Sequence, residues 1–304
     1  MQYTTQCEKC GNISCFADDS CYSHSATPPC FGSEVHWPTS KKLNKQAHIT
    51  NGNRQEGIKL THWNAGSKFM ENKMMEVESV VSQLSPSILG ISESNLKNSH
   101  DLAKVQLPGY QLFTSNTLHN PQLKISRVVV YVKDELNCTL RQDLMDDSFS
   151  SIWVEVKTGR QKFLVANIYR DHQYMNQATN DSLDMEQQLV RWVVFLEQWN
   201  RALATGLEVH TLGDYNICSM NIHQQNGEKQ CLVDALLTRI LPEGVTQCVR
   251  GPTRFPQGAQ LHPPAGLDHF WSSAPEKLSE VQVIAQGSSD HAVIHGVRIT
   301  KRGN

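Results

Sequence analysis

The sequence predicts an α/β protein whose core is a two-layered β-sheet flanked by helices. The first observation is a series of short apolar segments after Gly57, each of strand length and separated from the next by polar turns. The second is a pair of longer segments in which apolar residues recur at helical spacing. The third is the composition: 304 residues, 39% hydrophobic and 19% charged, can bury a large core and exclude a wholly disordered chain or a membrane protein.

The elements follow in order from this patterning. Residues 69–84 are predicted to form a helix that ends before Pro86, and residues 181–203 form the longest helix, with Gly206 as its C-terminal stop. The predicted strands are Ile58–Trp63, Ser87–Ser92, Arg127–Lys133, Ile152–Lys157, Phe163–Tyr169, Glu208–Leu212, Leu267–Trp271, Val281–Ala285 and Ala292–Ile299.

Residues 1–56 differ from the rest of the chain. They are polar and have almost no periodic apolar pattern, so we expect a flexible, disordered leader before a domain at 57–300. The first residues lack the basic and apolar regions of a secretory signal, which predicts an intracellular protein that is not secreted. The Cys-x-x-Cys spacing of this segment is not repeated, so a leader without metal is favoured over the zinc alternative. The zinc ligands in that alternative are Cys7, Cys10, Cys15 and Cys21.

Polar side chains recur where the predicted strands end. They are Asn64, Glu93, Tyr169 with Arg170, Asp214 with Asn216, Asp268 with His269, and Asp290 with His291. Each has an ordinary structural reading, such as a turn cap or a solvated pair. Because a rigid scaffold presents functional groups at strand ends, their joint occurrence indicates one site rich in carboxylates and amides.

Six segments resemble, in the same order, the successive motifs of the endonuclease/exonuclease/phosphatase superfamily. They are Trp63-Asn64, Ile91-Ser-Glu93, Ile168-Tyr-Arg170, Leu212-Gly-Asp-Tyr-Asn216, Gly266-Leu-Asp268 and Ser288-Ser-Asp-His291. The resemblance covers residues 57–299. Together with Pro-Thr-Arg-Phe at 252–255, these segments look most like the apurinic-type endonuclease domains of non-LTR retrotransposons.

The resemblance implies a DNase I-like four-layered α/β sandwich, in which two mixed sheets pack face to face with helices outside. It also implies a phosphodiesterase that depends on Mg²⁺, for which Mn²⁺ can substitute. Glu93 is then expected as the primary metal ligand, with Asn64 beside it and Asp290 on the metal or leaving-group side. Mg²⁺ prefers such oxygen ligands, and the number of ions stays open.

The same resemblance implies a role for each of the other motif residues. Asp214 is expected to orient or deprotonate the attacking water, and Asn216 to hold that water or a phosphate oxygen. His291 is expected to bind a phosphate oxygen, with Asp268 fixing its tautomer, and Tyr169 to donate to the phosphate.

Other positions carry weaker signals. Arg170, Thr253 and Ser289 are expected to contact phosphate or DNA, although ordinary surface roles stay open for them. The histidines His62, His172 and His269 match no motif and are expected to be structural.

The function implied is a retrotransposon-type endonuclease that nicks double-stranded DNA and leaves a 3′-hydroxyl for target-primed reverse transcription. We expect no membrane partner, a nuclear location if chromosomal DNA is the substrate, and a reverse transcriptase domain that this chain lacks. The alternatives are a host phosphodiesterase of the same superfamily, acting on abasic DNA, poly(A) or lipid, and a degenerate fragment without activity. The oligomeric state stays open.

Overall fold

The computed structural model describes residues 57–66, 70–97, 102–115, 125–171, 185–224, 230–256, 263–285 and 289–300. The leader at 1–56, its zinc alternative and His172 lie outside these ranges. The described strands are β1 (Gly57–Asn64), β2 (Ile88–Lys97), β3 (Tyr110–Thr114), β4 (Ile125–Lys133), β5 (Asn137–Leu140), β6 (Ser150–Thr158), β7 (Gln161–Tyr169), β8 (Glu208–Asp214), β9 (Thr246–Gln247), β10 (Asp268–Ser272), β11 (Gln282–Ile284) and β12 (Val293–Ile299). The helices are α1 (Met74–Leu84), α2 (Met185–Ala204) and α3 (Gln230–Ile240).

The strands form two mixed sheets of six strands each. Sheet A has the order β11-β12-β1-β2-β4-β3, and sheet B has the order β5-β6-β7-β8-β10-β9. Each sheet contains one parallel pair, β1 with β2 and β7 with β8, and its other pairings are antiparallel. A helix connects each parallel pair, α1 in the first and α2 in the second, as crossover connections require.

The apolar side chains divide into two clusters because neighbouring residues of a strand face opposite sides of a sheet. Leu60 of β1 belongs to the larger cluster, which fills the space between the sheets and continues beneath α2 and α3. Trp63 of the same strand points the other way and packs with α1 on the outer face of sheet A. The layers are therefore α1, sheet A, sheet B, and α2 with α3, which confirms the predicted α/β sandwich.

The structure contains elements that the apolar patterning did not predict. They are β3, β5, β9 and α3. Helix α3 buries Leu232, Val233, Leu236 and Ile240 on one face and contacts α2. Helix α1 begins at Met74 and is preceded by a 3₁₀ turn at Met70–Lys73, whereas the prediction began at residue 69. Among the helices of the described ranges, none combines the length and apolar character needed to cross a bilayer.

Candidate active site

The topology brings the ends of six strands to one rim of the sandwich. The carboxyl ends of β1, β7 and β8 supply Asn64, Tyr169 and Asp214, and β2 supplies Glu93 just after its parallel pairing with β1 ends at Ser92. Strands β10 and β12 are antiparallel to their neighbours, so their amino ends reach the same rim. Asp268 begins β10 directly opposite Asp214, and His291 precedes β12. The loops and strand ends thus place six motif residues together.

Asn64 connects the two sheets at this rim. Its amide nitrogen donates to Oδ2 of Asp214 at 2.8 Å and lies 3.2 Å from Oε1 of Glu93. Its amide oxygen accepts a hydrogen bond from the backbone N–H of Gly66 at 2.9 Å, which fixes the orientation of the amide. The completely buried Asn64 therefore holds two carboxylates close together.

Glu93 lies on an irregular stretch of β2. The pairing of β2 with β4 shifts between Ser92 and Leu96, and both Glu93 and Asn95 have positive φ, at 54° and 48°. Left-handed backbone is unfavourable for residues other than glycine and concentrates at functional sites. The bulge leaves Glu93 partly exposed, and the hydroxyl of the buried Tyr169 donates to its Oε1 at 3.2 Å.

Asp214 is buried among other negative charges. Burial, together with the nearby carboxylates of Asp268 and Glu93, raises its pKa to about 7 despite the opposing effect of His291. Its Oδ1 accepts a hydrogen bond from the backbone N–H of Asn216 at 2.8 Å, so both carboxylate oxygens are held in place. A carboxylate with a pKa near neutrality is well suited to accept a proton from water.

Asp268 and His291 form a buried pair. Nδ1 of His291 lies 2.8 Å from Oδ2 of Asp268. Burial alone would lower the pKa of His291, but the Asp268 carboxylate outweighs it and raises that pKa to about 10. Burial alone would raise the pKa of Asp268, but the charge of His291 and the hydrogen bonds from His291 and His62 lower it. His291 is therefore protonated at neutral pH and turns Nε2 away from Asp268.

The donor set fits a hard divalent cation. The carboxylates of Asp214 and Asp268 and the protonated ring of His291 lie together, with one atom of each within 4.8 Å of the other two. Glu93 adds a third carboxylate beside Asp214 and offers oxygen, the ligand that Mg²⁺ and Mn²⁺ prefer. Burial first, and then the neighbouring carboxylates of Asp268 and Glu93, raise the pKa of Asp214, so a cation here would meet gathered negative charge.

The structure places the remaining predicted residues around this centre. Ser289 donates from Oγ to the Asn64 carbonyl at 2.8 Å and accepts from the N–H of His291 at 3.1 Å. The Asp290 carboxylate pairs with Nε of Arg254 at 2.7 Å, and its other oxygen lies 4.0 Å from Nε2 of His291. Both residues therefore adjoin the Asp268–His291 pair.

Arg170, Asn216 and Thr253 point into the protein. The guanidinium of Arg170 is buried and donates to the carbonyls of Tyr215 and Asn216 and to Gln188. The amide nitrogen of Asn216 donates to the Arg170 carbonyl at 2.9 Å. The buried hydroxyl of Thr253 accepts from the backbone N–H groups of Leu267 and Asp268. We propose that these three residues brace the site, in place of the phosphate contacts expected for Arg170 and Thr253.

The structure also places at the site residues that had no predicted functional role. His62 lies behind Asp268, with Nε2 3.2 Å from Oδ1, and Asn167 lies behind His62 at 2.8 Å. Arg127 stacks over the ring of Tyr169, 4.5 Å from its centroid, and pairs with Asp171. A polar residue on the inward face of an apolar strand is the signal that marks His62 and Asn167. Arg127 interrupts a valine-rich strand in the same way.

The comparisons with known proteins agree with this fold. A family described as "Endonuclease/Exonuclease/phosphatase family" matches residues 61–291. A comparison with curated protein sequences finds no significant match.

Among solved structures, the chain is similar to the endonuclease domain of TRAS1, a telomere-specific non-LTR retrotransposon. That similarity has 13% identity and a TM-score of 0.59, and it covers 81% of this chain and 100% of that one. The AP endonuclease LMAP from Leishmania major gives 13% identity and a TM-score of 0.64 over 83% of this chain and 91% of that one. The 3′ phosphatase NExo from Neisseria, bound to a product DNA hairpin, gives 18% identity and a TM-score of 0.58 over 79% of this chain and 98% of that one.

Proposed function

Because the chain belongs to the endonuclease/exonuclease/phosphatase family, we propose that it is a divalent-metal-dependent DNA endonuclease of the non-LTR retrotransposon type. The observation that carries this proposal is the meeting of two hydrogen-bonded groups at one rim. Asn64 bonds Glu93 and Asp214, Asp268 bonds His291, and atoms of Asp214, Asp268 and His291 lie within 4.8 Å of one another. Similarity to the TRAS1 endonuclease domain and to a DNA-bound Neisseria 3′ phosphatase supports DNA as the substrate.

The metal would best be held by Glu93, at the rim where the carboxylates gather. Asn64, expected beside it, turns its NH₂ group toward Glu93 and Asp214 and would position these carboxylates. When bound, a Mg²⁺ or Mn²⁺ ion supplies positive charge that neutralises the phosphate and the leaving oxygen. The same charge would offset the repulsion among Glu93, Asp214 and Asp268, which adds to the effect of burial in raising the pKa of Asp214.

The protein's own residues would carry the proton transfers and the phosphate contacts. Asp214, held at both oxygens, would orient the attacking water and accept its proton. His291 would donate from Nε2 to a non-bridging phosphate oxygen and stabilise its growing negative charge. Asp268 would keep His291 correctly turned and protonated, since a carboxylate on Nδ1 favours the imidazolium form, in which Nε2 also carries a hydrogen.

Tyr169 would contribute to phosphate binding because its hydroxyl lies beside Glu93 at the rim. Its hydroxyl donates to Glu93, and burial raises its pKa well above the usual value, so it remains a neutral donor. From this place it would share its hydrogen between Glu93 and an incoming phosphate oxygen. Asp290, paired with Arg254, would lie on the leaving-group side beside His291.

The product of this chemistry would be a nick with a 3′-hydroxyl, the end from which a reverse transcriptase extends. Cutting of chromosomal DNA would require the protein to act in the nucleus. Base-specific contacts are not needed for such a role, because backbone contacts and DNA shape can direct cleavage.

The test is a nicking assay with parallel substrates: normal duplex, duplex with one abasic site, single-stranded RNA and a phospholipid headgroup. We expect cleavage of normal duplex in Mg²⁺ with 3′-hydroxyl ends that a polymerase extends directly. Cleavage confined to the abasic duplex would replace the proposal with a repair endonuclease. Turnover of RNA or lipid alone would overturn the DNA assignment.

A further inference from the structure

A line of buried polar side chains crosses the space between the two sheets and ends at the active site. Asn167 of β7 contacts His62 of β1, His62 contacts Asp268 of β10, and Asp268 contacts His291. His62 and Asp268 are completely buried, and Asn167 is 2% exposed. The line thus connects the catalytic pair to the centre of the sandwich, where apolar side chains pack on both sides.

The hydrogen bonds of Asn167 fix the tautomer of His62. The Asn167 amide nitrogen lies 3.1 Å from the carbonyl oxygen of Ile91 and 3.3 Å from that of Val129. Both partners are acceptors, so this end of the amide must be the NH₂ group and the other end the oxygen. The oxygen faces Nδ1 of His62 at 2.8 Å, which therefore carries a hydrogen.

The other nitrogen of His62 faces Asp268. Nε2 lies 3.2 Å from Oδ1 of Asp268, whereas Oδ2 of the same carboxylate faces His291 at 2.8 Å. A bare Nε2 would turn its lone pair toward a carboxylate oxygen, which would be repulsive in a dry interior. Nε2 and Oδ1 are hydrogen-bonded, so the two histidines hold opposite oxygens of one carboxylate.

The buried polar side chains of this line occupy space that apolar side chains would otherwise fill. A Cβ atom added at Gly90 would lie 2.4 Å from Cγ of Asn167, so the glycine leaves the room that the Asn167 side chain occupies. Buried polar groups contribute little net stability compared with well-packed apolar ones, and they must be fully hydrogen-bonded. What Asn167 and His62 provide in return is a fixed orientation of Asp268.

We propose that His62, held by Asn167, is a positioning residue for the Asp268–His291 pair. By binding Oδ1, it prevents rotation of the carboxylate and keeps Oδ2 on Nδ1 of His291. The backbone N–H of Asp268 is held in turn by Thr253, so that side chain and main chain are both fixed. The inference rests on the proposed function, because it gives His62 a role in catalysis only if His291 contacts the phosphate.

Two conservative substitutions test the two hydrogen bonds of His62 one at a time, because each keeps one bond and removes the other. In His62→Gln the amide nitrogen can reach the position of Nε2 and still donate to Asp268. In His62→Asn the shorter side chain replaces Nδ1 only, so the bond to Asn167 remains and the bond to Asp268 is lost. Both variants leave one buried partner unpaired, and His62→Asn should be the less stable of the two because its unpaired partner is a carboxylate oxygen, as thermal unfolding will show.

The matched control is His295→Asn. His295 is also buried on sheet A, with Nδ1 2.8 Å from the hydroxyl of Thr61, and it lies opposite Thr61 in the β1–β12 pairing. Thr61 and His62 are neighbours on β1, so His295 lies on the other face of the sheet from His62. His295→Asn therefore tests the effect of replacing a buried histidine without touching Asp268.

The first readout is single-turnover nicking with DNA affinity measured in parallel. We expect His62→Gln to stay within a few-fold of wild type and His62→Asn to lose about 10- to 100-fold, the usual effect of removing a partner that orients a functional side chain. DNA affinity and His295→Asn should stay near wild type. Equal losses in the Gln and Asn variants, or no loss in either, would overturn the positioning role.

The second readout does not depend on activity. In the full-length protein with ¹⁵N-labelled histidine, the His291 Nδ1–H proton should give a distinct NMR resonance that is missing in His291→Gln. We expect this resonance to keep its position in His62→Gln and His295→Asn and to move in His62→Asn. An unmoved resonance would overturn the inference. A wild-type protein that shows the NMR pattern but cuts no DNA would refute the proposed function and leave the positioning of Asp268 intact.

Discussion

At the scale of single residues, the Asp268–His291 pair should behave as one unit. If His291 stabilises charge on the phosphate and Asp268 fixes His291, removal of either should slow single-turnover nicking by about 10²-fold or more. The double variant His291→Ala with Asp268→Asn should be little slower than the worse single variant, because residues that act together are not additive.

The measurement is a double-mutant cycle on single-turnover rates. Fully additive losses would show that the two residues act independently and would contradict the pairing seen at 2.8 Å. DNA affinity serves as the control, and it should change far less than the rate because backbone contacts elsewhere carry most of the binding.

A second residue-scale prediction concerns His269, which is completely buried. Nε2 donates to the Ile217 carbonyl at 2.7 Å, Nδ1 accepts from the indole N–H of Trp271 at 3.0 Å, and the ring stacks on Tyr215. Burial lowers its pKa from 6.5 to about 4, so the folded protein keeps it neutral while the unfolded chain takes up a proton below pH 6.5. The stability that the neutral ring provides is complete above pH 6.5 and is lost as the pH falls toward 4.

The check compares wild type with His269→Gln by urea unfolding at about pH 7.5 and about pH 5. The free energy of unfolding of wild type should decline relative to the variant on acidification, by an amount on the order of 1–3 kcal/mol. A difference between the two proteins that does not change with pH would show that His269 is not held neutral.

The site residues that the sequence could predict are those that follow strands. Asn64, Glu93 and Asp214 lie where an apolar segment ends. A polar residue at the end of an apolar segment can be recognised in the sequence, and these three also match motifs of the family. His62 and Asn167 lie inside apolar segments, where a single polar residue has the same appearance as an ordinary core histidine or asparagine. Only the packing of β1 against β7 and β10 shows that Asn167 contacts His62 and that His62 contacts the Asp268 carboxylate.

At the scale of elements, the distance between β7 and β8 sets the relative positions of Tyr169 and Asp214, which lie opposite each other in this pairing. A Cβ atom at Gly213 would lie 2.2 Å from the carbonyl oxygen of Ile168 in the neighbouring strand. Gly213→Ala should therefore force the strands apart, lower the free energy of unfolding by at least about 1–3 kcal/mol and reduce nicking at permissive temperature.

Gly159→Ala is the comparison for this prediction. Gly159 has a φ of 58° and no atom within 4 Å of an added Cβ, so alanine there meets backbone strain alone, worth about 1 kcal/mol. Thermal unfolding should rank Gly213→Ala well below Gly159→Ala, and nicking by Gly159→Ala should match wild type. The reverse order of stability would contradict the close strand approach.

The apolar pattern predicted long elements better than short ones. Strands β1, β4, β7 and helix α2 carry enough apolar residues for their period to be recognised. Strand β9 has two residues, which is too short for any period, and β5 alternates exposed and half-buried positions at a sheet edge. Helix α3 buries residues at helical spacing, so its sequence does carry the periodic pattern of a helix.

At the scale of the whole molecule, residues 57–300 should suffice for folding and catalysis. The composition changes at Gly57, and every motif residue of the site lies after that point. Deletion of residues 1–56 should therefore leave the unfolding temperature and the nicking rate within a few-fold of the full chain. An unfolded truncation would show that the leader is structural, and stoichiometric zinc lost on truncation would support a zinc site at Cys7, Cys10, Cys15 and Cys21.

The predicted sandwich followed from a combination of two kinds of information. The apolar pattern indicated two layers of strands with helices outside, and the family resemblance implied how the layers stack. The strand order within each sheet could not be predicted from periodicity, because it depends on contacts between residues far apart in the chain. The convergence of Asn64 with Asp214, and of Asp268 with His291, is a consequence of that order.

The central claim is that the carboxylate rim is a divalent-metal site for DNA cleavage. The most direct measurement is nicking of supercoiled plasmid by wild type, Glu93→Gln and the control Glu155→Gln, each in Mg²⁺ and in excess EDTA. Glu155 lies in a surface ion-pair cluster with Arg141 and Lys162, so its substitution tests loss of a carboxylate away from the rim. We predict that wild type and Glu155→Gln nick in Mg²⁺, that EDTA abolishes this activity, and that Glu93→Gln is slower by about 10²-fold or more. Undiminished nicking in EDTA, or a Glu93→Gln protein as active as Glu155→Gln, would contradict the claim.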